Sequence, residues 1–378
     1  MFNDSIKLMD NHKITPPQTQ INKRAVGLDL MRISMALFIF MFHSRIHVLK
    51  CSYGYLNLFV SSGAIAMTGF FLLSGYVMNL TYGSKDMSGS AEIKRFYLKR
   101  IISIIPLYFV WASLWTIANV IVNGKSAAIE EMILFPVEIL GIQSVFSSLL
   151  SFSHNGGSWF ISCILICYFI YPLLQNITKH ISNRNKTFWI LILSAILLYS
   201  PIIQHYFQLQ KIYSNPFFRI LEFSIGILVS QLNISSYPNK LVSVMRNRFV
   251  CVLSIVGLVV GITILRKVDI PRDYMLYNWV ALPCFISLMV SLGNYKFTKF
   301  QNSKVIKYLS ELSFCIFLGQ IIYVWHAVKY ILDYVGTDNN IMRILVSFII
   351  VFCIANVLHY FVEIPSSKYL KQKYLANN

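Results

Sequence analysis

Three ionisable side chains interrupt one apolar run, "GLDLMRISMALFIFMFH" at residues 27–43: Asp29, Arg32 and His43. Arg32 and His43 are 11 residues apart, so in a helix they lie within about 20° of one another and about 16 Å apart along the axis. An imidazole can take a proton from a hydroxyl near neutral pH, and a guanidinium can hold phosphates. The run therefore predicts a polar helix face with a candidate base at one end and an anion-binding group at the other.

The same residues also have a structural explanation. Asp29 is three residues before Arg32, on the same side of the helix, and close enough to neutralise it. Arg32 could then be an anchor that reaches the lipid headgroups, and His43 a hydrogen-bonded core histidine. Because an ionisable group facing lipid is costly, we expect this face to point into the bundle or into a water-filled cavity.

Composition places these residues in an integral membrane protein. The 378-residue chain is 56% hydrophobic and only 13% charged, with a mean hydropathy of +0.60. A soluble protein of this length needs far more charge to cover its surface. The net charge of +18 does not indicate a nucleic-acid partner, because the basic residues lie almost entirely between apolar runs, as in membrane proteins that fix their orientation this way.

Hydropathy predicts an all-α integral membrane protein with about ten transmembrane helices. A span needs about 20 apolar residues, and we assign ten runs: 28–47, 58–82, 101–123, 159–178, 187–203, 216–232, 249–265, 276–292, 312–332 and 341–363. A further stretch at 132–150 contains Pro136 and Glu138 and is predicted to be interfacial or re-entrant. The domain prediction is a polar cytoplasmic tail at 1–24, a membrane domain at 25–370 and a second cytoplasmic tail at 371–378.

The distribution of basic residues predicts that both termini are cytoplasmic. If ten spans alternate from a cytoplasmic N-terminus, inside segments hold 22 of the 33 basic residues, and outside loops and helix ends hold 10. This bias follows the rule that cytoplasmic loops are rich in lysine and arginine. The seven cysteines lie mostly inside apolar runs and lack metal-ligand spacing, so no metal site is predicted.

Two further segments lie near the predicted cytoplasmic side. Ser74, Gly75 and Tyr76 in "GFFLLSGYVMNLTYG" favour either close helix packing or the approach of a ligand to the backbone. The segment "EIKRFYLKR" then places four basic residues within seven positions: Lys94, Arg95, Lys99 and Arg100. Such a cluster suits the phosphates of a nucleotide-type ligand, and equally suits topology or lipid headgroups.

The order of these motifs resembles the membrane-bound acyltransferase-3 family of sugar O-acyltransferases. The resemblance rests on Arg-x10-His, "FFLLSGY", "FYLKR", "SWFISCILICYFIYPLL", "LSFCIFLGQ" and "HYFVEIPSSKYL", over about residues 25–370. It implies a ten-helix core and an enzyme that takes an acyl group, usually acetyl, from cytoplasmic acyl-coenzyme A. The acceptor would be a carbohydrate or a lipid-linked glycan.

The resemblance also implies roles for individual residues. We assign three catalytic residues: His43 as general base, or as the site of a transient acyl-histidine, together with Arg32, a candidate contact to the coenzyme, and its partner Asp29. The implied coenzyme-binding residues are Ser74, Gly75, Tyr76, Lys99, Arg100 and Trp159. Glu363 matches the glutamate of a closing E-x-P motif and is expected to pair with a loop cation.

The chain departs from the family pattern at three positions. Many relatives have arginine where Ser103 stands and histidine where Gln320 stands, and some have glutamate in place of Ile164. These differences bear on coenzyme binding and could mark a different acceptor.

The sequence therefore predicts a multi-pass O-acetyltransferase of the bacterial inner membrane that uses acetyl-CoA and no metal. The predicted acceptor is a surface glycan such as O-antigen lipopolysaccharide, capsule or exopolysaccharide, met by loops 48–57, 124–158 and 204–215; the acyl group could also be succinyl. An exporter or flippase of lipid-linked glycan would share the hydropathy, basic loops and intramembrane charges, without a need for His43. An inactive scaffold is the third alternative.

Overall fold

The computed structural model describes residues 24–48, 51–146, 158–209, 211–235, 240–268, 274–320 and 322–375, and these contain helices and no β-strand. The α-helices are α1 Val26–His47, α2 Asn57–Val60, α3 Ala66–Tyr82, α4 Ser90–Asn123, α5 Lys125–Ile139, α6 Ser158–Lys179, α7 Asn183–Leu198, α8 Ser200–Phe207, α9 Pro216–Ile234, α10 Lys240–Met245, α11 Arg248–Lys267, α12 Asn278–Asn294, α13 Lys304–Leu318, α14 Ile322–Val335, α15 Asn340–Leu358 and α16 Ile364–Leu375. A π-helical turn, His359–Glu363, joins the last two. The predicted all-α class is confirmed.

The number of membrane spans also agrees with the sequence. Within the described ranges, eight helical segments are long and apolar enough to cross a bilayer, or ten if each of two bent helix pairs counts as one span. The bent pairs are α7 with α8, at 51°, and α13 with α14, at 91°. Each of the ten predicted runs falls on one of these segments, whereas the side on which the termini lie stays a prediction.

The two predicted tails compare with the structure in different ways. The tail at 1–24 lies outside the described residues except for Arg24. The second tail, predicted from residue 371, begins inside α16, which continues without a break to Leu375. The predicted interfacial stretch at 132–150 coincides with the second half of α5 and a 3-10 turn at Gln143–Val145, and its last four residues lie outside the described part.

Helices α3 and α9 form the centre of the bundle. Each lies in a span that is 78% buried by other parts of the protein, whereas the α11 span is only 11% buried and lies at the periphery. A Cβ atom added to Gly75 would lie 2.0 Å from the carbonyl oxygen of Phe223, and one added to Gly226 would lie 2.1 Å from that of Leu72. Only glycine permits backbones to approach so closely, so Gly75 serves helix packing.

Helix α1 packs alongside α13, and the two helices are parallel. Arg24 donates from Nη1 to the carbonyl oxygen of Ser303, at 3.1 Å, and contacts farther along α1 meet residues farther along α13. This parallel pair positions the polar face of α1.

Candidate active site

The two ionisable side chains singled out on α1 face the same neighbouring helix. Arg32 donates from Nη1 to the hydroxyl of Ser310, at 3.0 Å. His43 lies one helix length farther, with its Nδ1 atom 3.1 Å from Oε1 of Gln320. The shared face predicted from the 11-residue spacing is confirmed, and it turns toward the bundle.

Asp29 fixes the arginine end of this face. Its Oδ1 atom lies 3.6 Å from Arg32 Nη1 and accepts a hydrogen bond of 2.7 Å from Ser310, while Oδ2 lies 2.5 Å from Nε of Arg24. Asp29 is 14 residues from His43, about 21 Å along the helix axis. It therefore orients Arg32 and does not contact the candidate base.

Gln320 fixes the histidine end. Its Nε2 atom donates to the carbonyl oxygen of Ile316, at 2.9 Å, which turns Oε1 toward His43. Because a carboxamide oxygen can only accept, His43 must carry its proton on Nδ1, and the lone pair of Nε2 remains to take a proton. The indole N–H of the fully buried Trp325 donates to the Gln320 carbonyl, at 3.2 Å, and holds this turn in place.

A cavity of about 200 Å³ lies beside Arg32, between α1, α3, α4, α6 and α13. The predicted coenzyme residue Ser74 lines it, and so do Ser103 and Ile164, two of the three departures from the family pattern. Tyr168 also lines it and lies within electrostatic range of both Arg32 and Arg100. The cavity wall thus combines one guanidinium with hydroxyl and apolar groups. Such a wall suits a flexible ligand arm that carries amide and thioester groups.

A second cavity, of about 540 Å³, lies at the end of the bundle where α4 begins; we call it the basic-end cavity. Four cations line it, Lys85, Lys94, Arg95 and Lys99, together with the carboxylates Asp86 and Glu92. Hydrogen bonds from the side chain and backbone N–H of Ser88 lower the pKa of Asp86, so this carboxylate is ionised at neutral pH. The excess of cations favours an anionic ligand.

Arg100 lies between the two cavities. Its Nη2 atom donates to the hydroxyl of Tyr82, at 3.1 Å, and its guanidinium carbon lies 5.9 Å from the ring of Phe96 and 5.8 Å from that of Tyr168. Tyr82 and Phe96 line the basic-end cavity, and Tyr168 lines the cavity beside Arg32. The Nε atom of Arg100 is buried without a hydrogen-bond partner among the described residues, so this guanidinium can still bind a ligand.

This geometry agrees with the comparison against known families. A family profile described as an acyltransferase domain matches residues 26–360, most of the chain, including Arg32, His43 and both cavities' principal residues. The chain belongs to the acyltransferase-3 family. No curated protein and no solved structure matches it significantly. Family membership and the apolar helices make this protein a multi-pass membrane acyltransferase.

Four of the six residues assigned to coenzyme binding line neither cavity of this acyltransferase; Arg100 lies between the two, and the other three lie away from them. Gly75 packs against α9, and the buried Tyr76 accepts a hydrogen bond of 2.5 Å from Nδ2 of Asn233. Trp159 packs against Tyr213, with ring centroids 5.0 Å apart, and lies 5.4 Å from the guanidinium carbon of Arg219. The structure thus brings Ser74, Arg32 and Arg100 together, and places Lys99 in the basic-end cavity.

A buried ion pair on α9 was not predicted from the sequence. Arg219 and Glu222 lie 2.8 Å apart with both side chains 0% exposed, although the charge count placed Arg219 at an outside helix end. Thr68 donates to Glu222, at 2.8 Å, and Nε of Arg219 donates to the carbonyl of Tyr213, also at 2.8 Å. The signal was visible as opposite charges three residues apart in an apolar run.

A second cluster joins α13 to the end of α15. Glu363 Oε2 lies 2.7 Å from Nδ1 of His359 and accepts from the thiol of Cys315 at 3.2 Å, so among the described residues it pairs with these groups and with no loop cation, in contrast to the expectation. The three ligand atoms lie within 4.8 Å of one another, close enough to hold a metal ion. Their mutual hydrogen bonds already satisfy them, and the expectation that the acyltransferase uses no metal stays a prediction.

Proposed function

We propose that this acyltransferase moves an acetyl group from acetyl-CoA to a hydroxyl of a surface glycan, such as O-antigen, capsule or exopolysaccharide, in the bacterial inner membrane. One observation carries the proposal: the contact with Gln320 holds the proton of His43 on Nδ1 and leaves the lone pair on Nε2. Arg32 lies at the other end of the same helix face, where it lines a cavity. A base and a cation separated in this way suit a donor that enters from one end and an acceptor that enters from the other.

The two cavities support a coenzyme A donor. The cations of the basic-end cavity would hold the phosphates, at the end that the charge bias predicts to be cytoplasmic. Arg100 would contact the region where the phosphates meet the pantetheine arm, which would pass into the cavity beside Arg32. The step from Arg32 to His43, about 16 Å along α1, is comparable to the reach of that arm.

The chemistry at His43 is a general-base acyl transfer. Nε2 takes the proton of the acceptor hydroxyl while its oxygen attacks the thioester carbon, and a tetrahedral oxyanion forms. The intermediate collapses with cleavage of the carbon–sulfur bond, and the leaving thiolate takes the proton from the imidazolium. The products are the O-acyl ester and coenzyme A, with His43 returned to its neutral form.

Deleting the gene is expected to remove acetate from the surface glycan while the glycan is still exported. Proton NMR of the purified glycan measures the acetyl methyl signal against the anomeric signals, in the deletion strain and after restoring the gene. Loss of the glycan itself would support an exporter, and an unchanged acetyl signal would contradict the proposal. Appearance of a succinyl signal that depends on the gene would replace acetyl by succinyl.

Replacing Arg100 with alanine is expected to weaken acetyl-CoA binding about 10- to 100-fold, because hydrogen bonds to a charged group contribute about 1.5–3 kcal/mol. Isothermal titration of the purified protein with acetyl-CoA measures this. Arg184→Ala is the matched control, since it removes an exposed arginine on α7. If Arg100→Ala and Arg32→Ala both bind the coenzyme like the wild type, the donor path is wrong.

A further inference from the structure

Three helices that line the cavity beside Arg32 also line a smaller cavity farther along the bundle. Ser103 of α4, Ile164 of α6 and Phe317 of α13 face the first cavity. Trp111 and Trp115 of α4, Ser158 of α6 and Leu318 of α13 face the second, together with Tyr108. Along α4 the second cavity lies farther from the basic end, and Leu318 is two residues before Gln320, which holds His43.

The walls of this smaller cavity contain two indole N–H groups without partners among the described residues, and Gln143, which is hydrogen-bonded to the lining residues Tyr108 and Ser158, adds a third such polar atom beside it. The indole Nε1 atoms of Trp111 and Trp115 are buried and donate to no acceptor among the described residues; Trp111 is only 6% exposed. Gln143, 0% exposed, donates from Nε2 to the Tyr108 hydroxyl and the Ser158 carbonyl, at 3.2 and 3.3 Å. Its Oε1 atom has no donor among the described residues. Such groups are costly to bury unless a ligand or solvent satisfies them.

We propose that Trp111, Trp115 and Gln143 bind a hydroxyl group of the acceptor carbohydrate. A hydroxyl carries one donor and two acceptor lone pairs, the complement of two indole N–H groups and one amide oxygen. These three residues bind and orient the acceptor and do not act on the reacting atoms. The inference rests on the proposed function, because it assigns the acceptor site of the same reaction.

The sizes of two adjoining cavities fit this assignment. The smaller cavity holds about 10 Å³, room for about one oxygen atom. A neighbouring cavity of about 240 Å³ shares Tyr108 and Ala112 with it and adds the polar side chain of Thr116. The hydroxyl would enter the smaller cavity while the sugar ring occupies the larger one, against the aromatic side chains.

Tryptophan-to-phenylalanine variants test the assignment, because they remove the N–H group and keep an aromatic ring. The full-length protein in lipid nanodiscs is given radiolabelled acetyl-CoA and increasing amounts of the glycan-lipid fraction extracted from a strain that lacks the gene. Trp111→Phe and Trp115→Phe are each expected to raise the half-saturating acceptor concentration about tenfold. Isothermal titration of both variants with acetyl-CoA is expected to give the same dissociation constant as the wild type.

Trp189→Phe is the matched control, since Trp189 is 44% exposed on α7. A thermal melt of each variant identifies any that fails to fold, and two independent tryptophans keep the test decisive. Unchanged acceptor saturation in both variants would overturn the inference and assign the polar groups to a buried water molecule. If the variants weaken acetyl-CoA binding as much as they weaken acceptor saturation, the inference is overturned, and the two tryptophans contact the donor. A wild-type protein that labels no glycan would overturn the proposed function itself.

Discussion

Replacing His43 with alanine is expected to lower the rate of acyl transfer about a thousandfold while leaving acetyl-CoA binding intact. General acid–base catalysis contributes about 10²- to 10⁴-fold, and Gln320 holds the Nδ1 proton of His43, which leaves Nε2 to take a proton at the end of the α1 polar face. Arg32 and the basic-end cavity, which would bind the donor, are unaffected because they lie about 16 Å or more away along the helix axis.

Transfer of radiolabelled acetyl from acetyl-CoA to the extracted glycan-lipid fraction measures the effect, with isothermal titration for the donor. His205→Ala is the matched control, because His205 is exposed on α8. Gln320→Leu removes the acceptor of the Nδ1 proton, and we expect an intermediate loss in rate with the dissociation constant for the donor unchanged. A His43→Ala protein that still transfers acetyl at the wild-type rate would exclude His43 as base and as acyl carrier.

The sequence predicted well those features that depend on local periodicity. The 3.6-residue period was enough to place Arg32 and His43 on one face, and the structure confirms this through Ser310 and Gln320 on a single neighbouring helix. Hydropathy likewise located all ten candidate spans, because the thickness of a bilayer fixes the length of an apolar run. The bends within α7–α8 and α13–α14 were not predicted, since each run read as one continuous span.

The sequence could not predict which neighbour each side chain meets across the bundle. Ser74, Gly75 and Tyr76 are consecutive, yet Ser74 lines a cavity while Gly75 packs on α9 and Tyr76 bonds Asn233. The 100° turn between successive helical residues separates them. Trp159 was assigned to the coenzyme through the family resemblance alone, and only the packing of α6 shows it beside Arg219.

The structure also gives a physical account of the departures from the family pattern. Ser103 and Ile164 face the same cavity, so the two departures, one from an expected arginine and one from an expected glutamate, lie at one place in the bundle. Loss of a cation and an anion together leaves no unpaired buried charge, whereas loss of either alone would be costly. Gln320 differs in kind, because it contacts the candidate base directly and still supplies an acceptor for Nδ1.

The second large effect is expected in stability and concerns the buried pair on α9. Replacing Arg219 with methionine leaves the Glu222 carboxylate unpaired at 0% exposure, and breaking a buried pair in this way costs about 3–5 kcal/mol. The central position of α9, packed against α3 through Gly75 and Gly226, keeps the orphaned charge buried inside the bundle. SDS-induced unfolding of the purified protein measures the change in the free energy of unfolding.

The double variant Arg219→Met, Glu222→Leu separates charge pairing from packing. Replacing both partners by apolar side chains of similar volume is often neutral, and Thr68 keeps a partner because its hydroxyl can donate to Oδ1 of Asn278, at 3.1 Å. We therefore expect the double variant to recover most of the stability that Arg219→Met loses, a coupling that a double-mutant cycle measures directly. If the double variant is as unstable as the single one, the hydrogen bonds from Arg219 to the Tyr213 carbonyl stabilise α9, and the ion pair does not.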